Sequence, residues 1–169
     1  MKFNRLVLAA LSVTALTLGN NALAQTTTGS MKVDAFLIPG CVFDVKDIYF
    51  PTITDQPGVE FIDAAPTSLK ITCTKTTAYT MTFSAGKSAN FANRTMRSSS
   101  SANTDSLNYN LYKDSAKTIV LGDSTVANGS ITGVGTGTLF GTYIYAAVPG
   151  GQYRTPDRYQ DNITVTLSY

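Results

Sequence analysis

The sequence predicts an all-β fold, an antiparallel two-layer sandwich, on three observations. No stretch keeps a helical period for three turns. Apolar and polar residues instead alternate with a period of two in several short runs, as in Leu69-Lys70-Ile71-Thr72-Cys73 and Ile163-Thr164-Val165-Thr166-Leu167. Turn-forming residues recur about every ten positions, the spacing of a sandwich rather than of strand–helix units.

Residues 1–24 read as an export signal rather than as fold. Lys2 and Arg5 form a basic start, Leu6 to Leu18 a short apolar core, and Ala22-Leu23-Ala24 a small-residue cleavage site, so the mature chain is expected to begin at Gln25. The apolar run is too short for a resident transmembrane helix, and no later run is long enough. The next stretch, Gly29 to Leu37, places Met31, Val33, Ala35 and Leu37 on one face of an extended chain. Ser30, Lys32 and Asp34 fall on the other, which turns apolar only at Phe36. Pro39-Gly40 sets this segment apart from the rest of the chain. It reads either as the first strand of a self-contained sandwich or as a strand that completes the sheet of another subunit.

Val42 to Phe50 carries broken apolar patches and ends at Pro51, and residues 52–66 form a connection with Pro57-Gly58 and Pro66. Strands are predicted over Leu69–Cys73 and Tyr79–Phe83, and the short gap between them suggests a hairpin. Ala85 to Ser106 is small and polar and reads as a long loop with a short edge strand near Arg94–Arg97. Leu107–Tyr112 is a strand, Thr118–Leu121 a short return, and Asn128-Gly129 a turn. The glycine-rich Gly133 to Gly137 lacks the spacing of a phosphate loop and reads as a flexible connection. Thr138–Val148 is a β-prone run stopped by Pro149-Gly150-Gly151. The final strand, with Ile163, Val165, Leu167 and Tyr169 on one face, has no following segment to pair with.

Composition removes several function classes. The 13 basic residues include Lys2 and Arg5 of the signal, which leaves 11 against 11 acidic ones and no basic surface for nucleic acid. Histidine and tryptophan are absent, so neither a Ser-His-Asp or Cys-His site nor a histidine metal site can be built. The acidic residues show no pairing that suits a glycosidase, and no cofactor motif is present, so the sequence predicts no enzyme. Cys41 and Cys73 are the only cysteines, and in an exported domain they read as a disulfide. Tyr143, Tyr145, Tyr153 and Tyr159 could form a sugar platform, though strand aromatics more often serve packing. The sequons at Asn93, Asn128 and Asn162 read as ordinary turn and strand residues.

The ordered set of strands resembles the spore coat protein U domain family, the family of archaic chaperone–usher pilus subunits. The resemblance rests on the alternating segment before Pro39-Gly40-Cys41, on Leu69 to Cys73, and on Tyr79, Met81 and Phe83. It continues through Arg94-Thr95-Met96, Leu107 to Asp114, Gly122-Asp123, Val148 to Gln152, Tyr159, Asp161 and the run Ile163 to Tyr169. Leu121 stands where the family often has tryptophan, and Arg154 to Arg158 carries fewer glycines than the usual turn. The resemblance implies an incomplete immunoglobulin-like antiparallel β-sandwich over residues 39–169, lacking its last strand. A donor strand from a periplasmic chaperone, and then from a neighbouring pilin at the outer-membrane usher, would complete it. In this chain residues 25–38 would be the donor segment, with Gly29 for close approach and Met31, Val33, Ala35 and Leu37 filling pockets. Ile163, Val165, Leu167 and Tyr169 would form the acceptor edge. The implied role is a rod or minor adaptor pilin supporting adhesion and biofilm formation from the cell surface. The rival is a self-complete secreted binding module, with carbohydrate as its candidate ligand.

Overall fold

Alternating strands need partners, and the way this chain supplies them fixes where its surface is left open. The structure, a computed structural model, describes residues 25–54 and 61–169, so the expected signal and the Pro57-Gly58 turn lie outside the described residues. The chain divides into two units, residues 1–36 and 37–169. In the first, residues 25–36 take no regular structure, and Met31, Val33 and Phe36 are exposed. Lys32 pairs with Asp34 at 2.9 Å, an exposed contact that contributes little. The alternation of this segment is real, but no ladder there turns it into a strand.

The second unit is almost wholly β. Among the described residues its strands are β1 Cys41–Val45, β2 Phe61–Asp63, β3 Thr67–Cys73, β4 Ala78–Phe83, β5 Arg94–Ser98, β6 Ser106–Tyr112, β7 Ile131–Val134, β8 Leu139–Pro149, β9 Tyr159–Gln160 and β10 Val165–Ser168. One antiparallel sheet runs β1-β3-β8-β6-β5-β9, with β2 beside β8; the other runs β10-β4-β7. The length of β8 lets it serve three neighbours. Its first half pairs with β3, and its second half with β6 and β2.

Leu69, Ile71 and Cys73 of β3 and Tyr79, Met81 and Phe83 of β4 are all buried. Each such side chain contributes about 1.5–3 kcal/mol relative to exposure. The hairpin expected between these two strands does not form. β3 pairs with β1 and β8, β4 with β10 and β7, so the connection arches from one layer to the other. The two apolar faces then meet across the core instead of lying side by side. Thr76 takes a left-handed φ of 66°, and the hydroxyls of Thr74 and Thr77 bond at 2.6 Å inside the arch. Gly135 closes against it. A side chain there would meet the Thr74 carbonyl at 2.2 Å, and the Gly135 N–H donates to Thr77 at 2.7 Å. The glycine-rich stretch is therefore a packed junction, with Gly133 inside β7, and not a flexible loop.

Two further expectations change. Arg94–Ser98 is not at an edge, since β5 lies between β6 and β9. The return over Thr118–Leu121 is reduced to a single bridge from Val120 to Tyr112. Cys41 and Cys73 face each other across β1 and β3 and form a disulfide spanning 32 residues of sequence. Replacing both cysteines with serine is expected to lower the unfolding free energy by about 3–4 kcal/mol, read from urea denaturation. A loss below about 1 kcal/mol would show that β1 holds β3 without the cross-link.

Candidate functional site

The core is not closed on all sides. A cleft of about 900 Å³ opens in the second unit, floored by buried or nearly buried side chains that include Phe83, Met96, Leu107, Leu111 and Ile144. One wall is residues 45–53, the other residues 152–165. The first wall continues from β1 but is irregular over residues 46–53, although Ile48, Phe50 and Ile53 turn half-buried side chains onto the core. The second wall leads into β10. Among the described residues that strand pairs only with β4, with Val165 opposite Phe83 and Leu167 opposite Met81. Apolar floor, unpaired strand edge and irregular facing wall together make a slot shaped for an extended peptide.

The expected site residues fall into three groups. Ile163 and Val165 line the cleft, half-buried; Leu167 is half-buried on the core, and Tyr169 is exposed. Gly29, Met31, Val33, Ala35 and Leu37 are exposed; Leu37 is 87% accessible, and a side chain at Gly29 would meet nothing within 4 Å. The cysteines lie apart from the cleft lining. Of the four tyrosines, Tyr143 and Tyr153 are exposed. Tyr145 and Tyr159 are half-buried.

A buried polar network joins the two sheets, and local pattern gave no role to its members. Arg94 is completely buried. Its Nε and Nη2 donate to the Ser84 carbonyl at 3.2 and 2.9 Å, Nη2 to the Leu121 carbonyl at 2.7 Å, and Nη1 to Asn110 Oδ1 at 2.7 Å. The guanidinium also lies over the Phe91 ring, 5.3 Å from its centre. Burial lowers its pKa, and nearby Tyr109 and Asp161 oppose the shift. Asn110 donates in turn to the carbonyls of Phe91 and Ala92, both at 3.0 Å. The available signal was alternation, since Arg94 shares the inward face of its strand with Met96.

Hydroxyl and amide donors fasten the 152–160 wall to its neighbours. The Asp105 carboxylate accepts the Thr155 amide at 2.9 Å and hydroxyl at 2.7 Å. Asp157 accepts the Ser98 hydroxyl, the Asn103 amide at 3.2 Å and the Arg158 N–H at 2.7 Å. The Thr155 amide and hydroxyl hold Asp105 below the usual carboxylate range; the Ser98 hydroxyl, with the Arg158 amide, does the same for Asp157. A depressed folded pKa contributes stability that is complete above the unfolded value, about 4, and is lost as pH falls through the lower folded value. Amide protection factors at Thr155 and Arg158 are therefore expected to drop between pH 6 and pH 2.5, while those of β3 hold. Unchanged protection at both amides would remove these carboxylates as tethers.

Among the described residues no three His, Cys, Asp or Glu side chains gather as a metal site, and no helix is long and apolar enough to cross a membrane. Residues 27–166 match the family described as Spore Coat Protein U domain. No curated protein matches the sequence. Among solved structures, one chain of the CsuC-CsuE chaperone-tip adhesion subunit pre-assembly complex, from the archaic chaperone-usher Csu pili of Acinetobacter baumannii, is similar. The TM-score is 0.54 at 20% identity, over 78% of this chain and 40% of that one. The likeness is one of fold, and this chain spans well under half the length of the other. The fold shared is an open antiparallel one, an immunoglobulin-like sandwich with its closure incomplete.

Proposed function

The chain belongs to the Spore Coat Protein U domain family, and from that premise we propose that it is a pilin of an archaic chaperone–usher system. In this reading it is exported, held in the periplasm by a chaperone strand, and passed to an outer-membrane usher. There the donor segment of a neighbouring subunit, residues 25–38 in this chain, takes the place of the chaperone. The product is a rod or adaptor subunit of a surface pilus that supports adhesion and biofilm formation.

The observation that carries this proposal is the cleft beside β10, a trough about 900 Å³ in volume with an apolar floor, bounded by a strand that pairs only with β4 among the described residues. Two faults are repaired at once by an added strand. The unpaired backbone gains a ladder, and the apolar floor is covered. Residues 29–37 offer the matching period, with Met31, Val33, Ala35 and Leu37 spaced to enter successive pockets and hydrophilic Ser30, Lys32 and Asp34 turned outward.

Periplasmic expression of the mature chain with and without a pilus chaperone tests the reading. Alone, the chain should be degraded, aggregate or form ladders that resist mild denaturant. With the chaperone it should be recovered as a stoichiometric complex. A stable monomer that ignores the chaperone would return the chain to the class of self-complete binding modules.

A further inference from the structure

We propose that Asp161 is a positioning residue for the acceptor cleft: through the Tyr109 hydroxyl it sets the distance between the two walls that a donor strand must fill. This rests on the donor-strand reading and names what regulates the fit of that same site. Asp161 lies just ahead of β10 and gathers three elements on one carboxylate. Its Oδ1 accepts the Lys87 N–H at 3.0 Å and the Asn162 N–H at 2.9 Å, and its Oδ2 accepts the Tyr109 hydroxyl at 2.8 Å. The Lys87 amide belongs to a short 3-10 turn, Gly86–Ser88, that follows β4.

The seat is shaped for the carboxylate. Gly86 has a left-handed φ of 65°, and a side chain there would sit 2.0 Å from Asp161 Oδ2. The entry to β10 is secured alongside, because Thr164 N–H donates to Ser84 Oγ and Ser84 N–H to the Thr164 carbonyl, both at 2.9 Å. β10 therefore leaves a fixed point at its start, while its far edge is unpaired.

Tyr109 carries the constraint across the cleft. Its ring lines the cleft and meets Phe50 of the opposite wall edge-on, with centroids 6.5 Å apart and planes at 75°. Edge-to-face contact depends on ring orientation, and the hydroxyl bond to Asp161 fixes that orientation. The connection runs from Asp161 at the entry to β10, through the Tyr109 ring, to Phe50 in a wall that holds no ladder of its own. Loss of the bond frees the ring and slackens the wall, with the hydrophobic floor left intact.

The test uses the mature chain recovered in its chaperone complex, in which a fluorescently labelled synthetic peptide of residues 25–38 displaces the chaperone strand. Tyr109→Phe removes one hydroxyl and keeps the ring, and Asp161→Ala removes the carboxylate. Each is expected to speed peptide dissociation about tenfold, the size of one lost charge-assisted hydrogen bond, and the double variant no more than either alone. Hydrogen exchange should rise at the Val165–Ser168 amides and stay unchanged in β3, a pattern that general destabilisation does not give. Wild-type dissociation rates in the single variants, rates that multiply in the double variant, or exchange rising equally in β3 would overturn the proposal. A wild-type chain that binds no peptide would overturn the donor-strand reading and this proposal with it.

Discussion

A chain carrying Val33→Asp is expected to be exported and to fold as the wild type does, yet to build no polymer. Val33 is 83% accessible in the chain, so its replacement costs the subunit nothing. The cost arises only on assembly, when the side chain would enter a trough floored by residues such as Phe83, Leu111 and Ile144, all of them buried. Burying the four apolar side chains of the donor face should contribute roughly 6–10 kcal/mol before ordering costs. One aspartate there forfeits a share of that gain and brings an unpaired charge whose burial costs several kcal/mol more. Binding should weaken by about 10³-fold or more, because each 1.4 kcal/mol is a factor of ten. Lys32→Ala, on the outward face, is the control and should assemble normally. Electron microscopy of surface fibres and the ladder of denaturant-resistant oligomers both report the result. Wild-type fibres from the Val33→Asp chain would remove residues 25–38 from the role of donor.

The strands were legible where a local period decides them. Leu69 to Cys73, Leu107 to Tyr112 and the run ending at Pro149 all alternate or carry β-branched and aromatic residues, and each is a strand within a residue or two at its ends. Sheet membership was not legible in the same way. Alternation tells which face is apolar, and a short gap serves a hairpin and an arch equally. What separates β3 from β4 is non-local: the disulfide to Cys41 and the close approach of Gly135, some sixty residues further on, to the Thr74 carbonyl. The cleft is less legible still, because its walls come from residues about a hundred positions apart. The sequence pointed to an unpaired last strand, and the resemblance to a family anticipated an opening there. The segment 29–37 shows the limit from the other side. Its pattern is a strand's, but a strand is a property of a pair, and no ladder is present in residues 25–36.

Arg94→Met is expected to lower the stability of the donor-bound subunit by about 3–5 kcal/mol, a large part of the 5–15 kcal/mol that holds a typical domain together. Methionine matches the stem of the side chain and leaves little void, so the loss measures the polar contacts. The guanidinium makes four hydrogen bonds between 2.7 and 3.2 Å, to the carbonyls of Ser84 and Leu121 and to the side-chain oxygen of Asn110, the last of which also accepts the Leu111 N–H. These acceptors come from the end of β4, from the stretch after the Val120 bridge, and from β6, which belongs to the other sheet. One planar group thus ties both layers, and without it the carbonyls of Ser84 and Leu121 face an apolar side chain. Arg94→Lys separates charge from shape. Lysine keeps the positive charge, but its single ammonium cannot reach acceptors set around a planar fork, so it should recover less than half of the loss. Urea denaturation of both variants gives the comparison. If lysine restored full stability, charge would be the working feature of Arg94; if methionine were neutral, the network would be a consequence of the fold and not one of its causes.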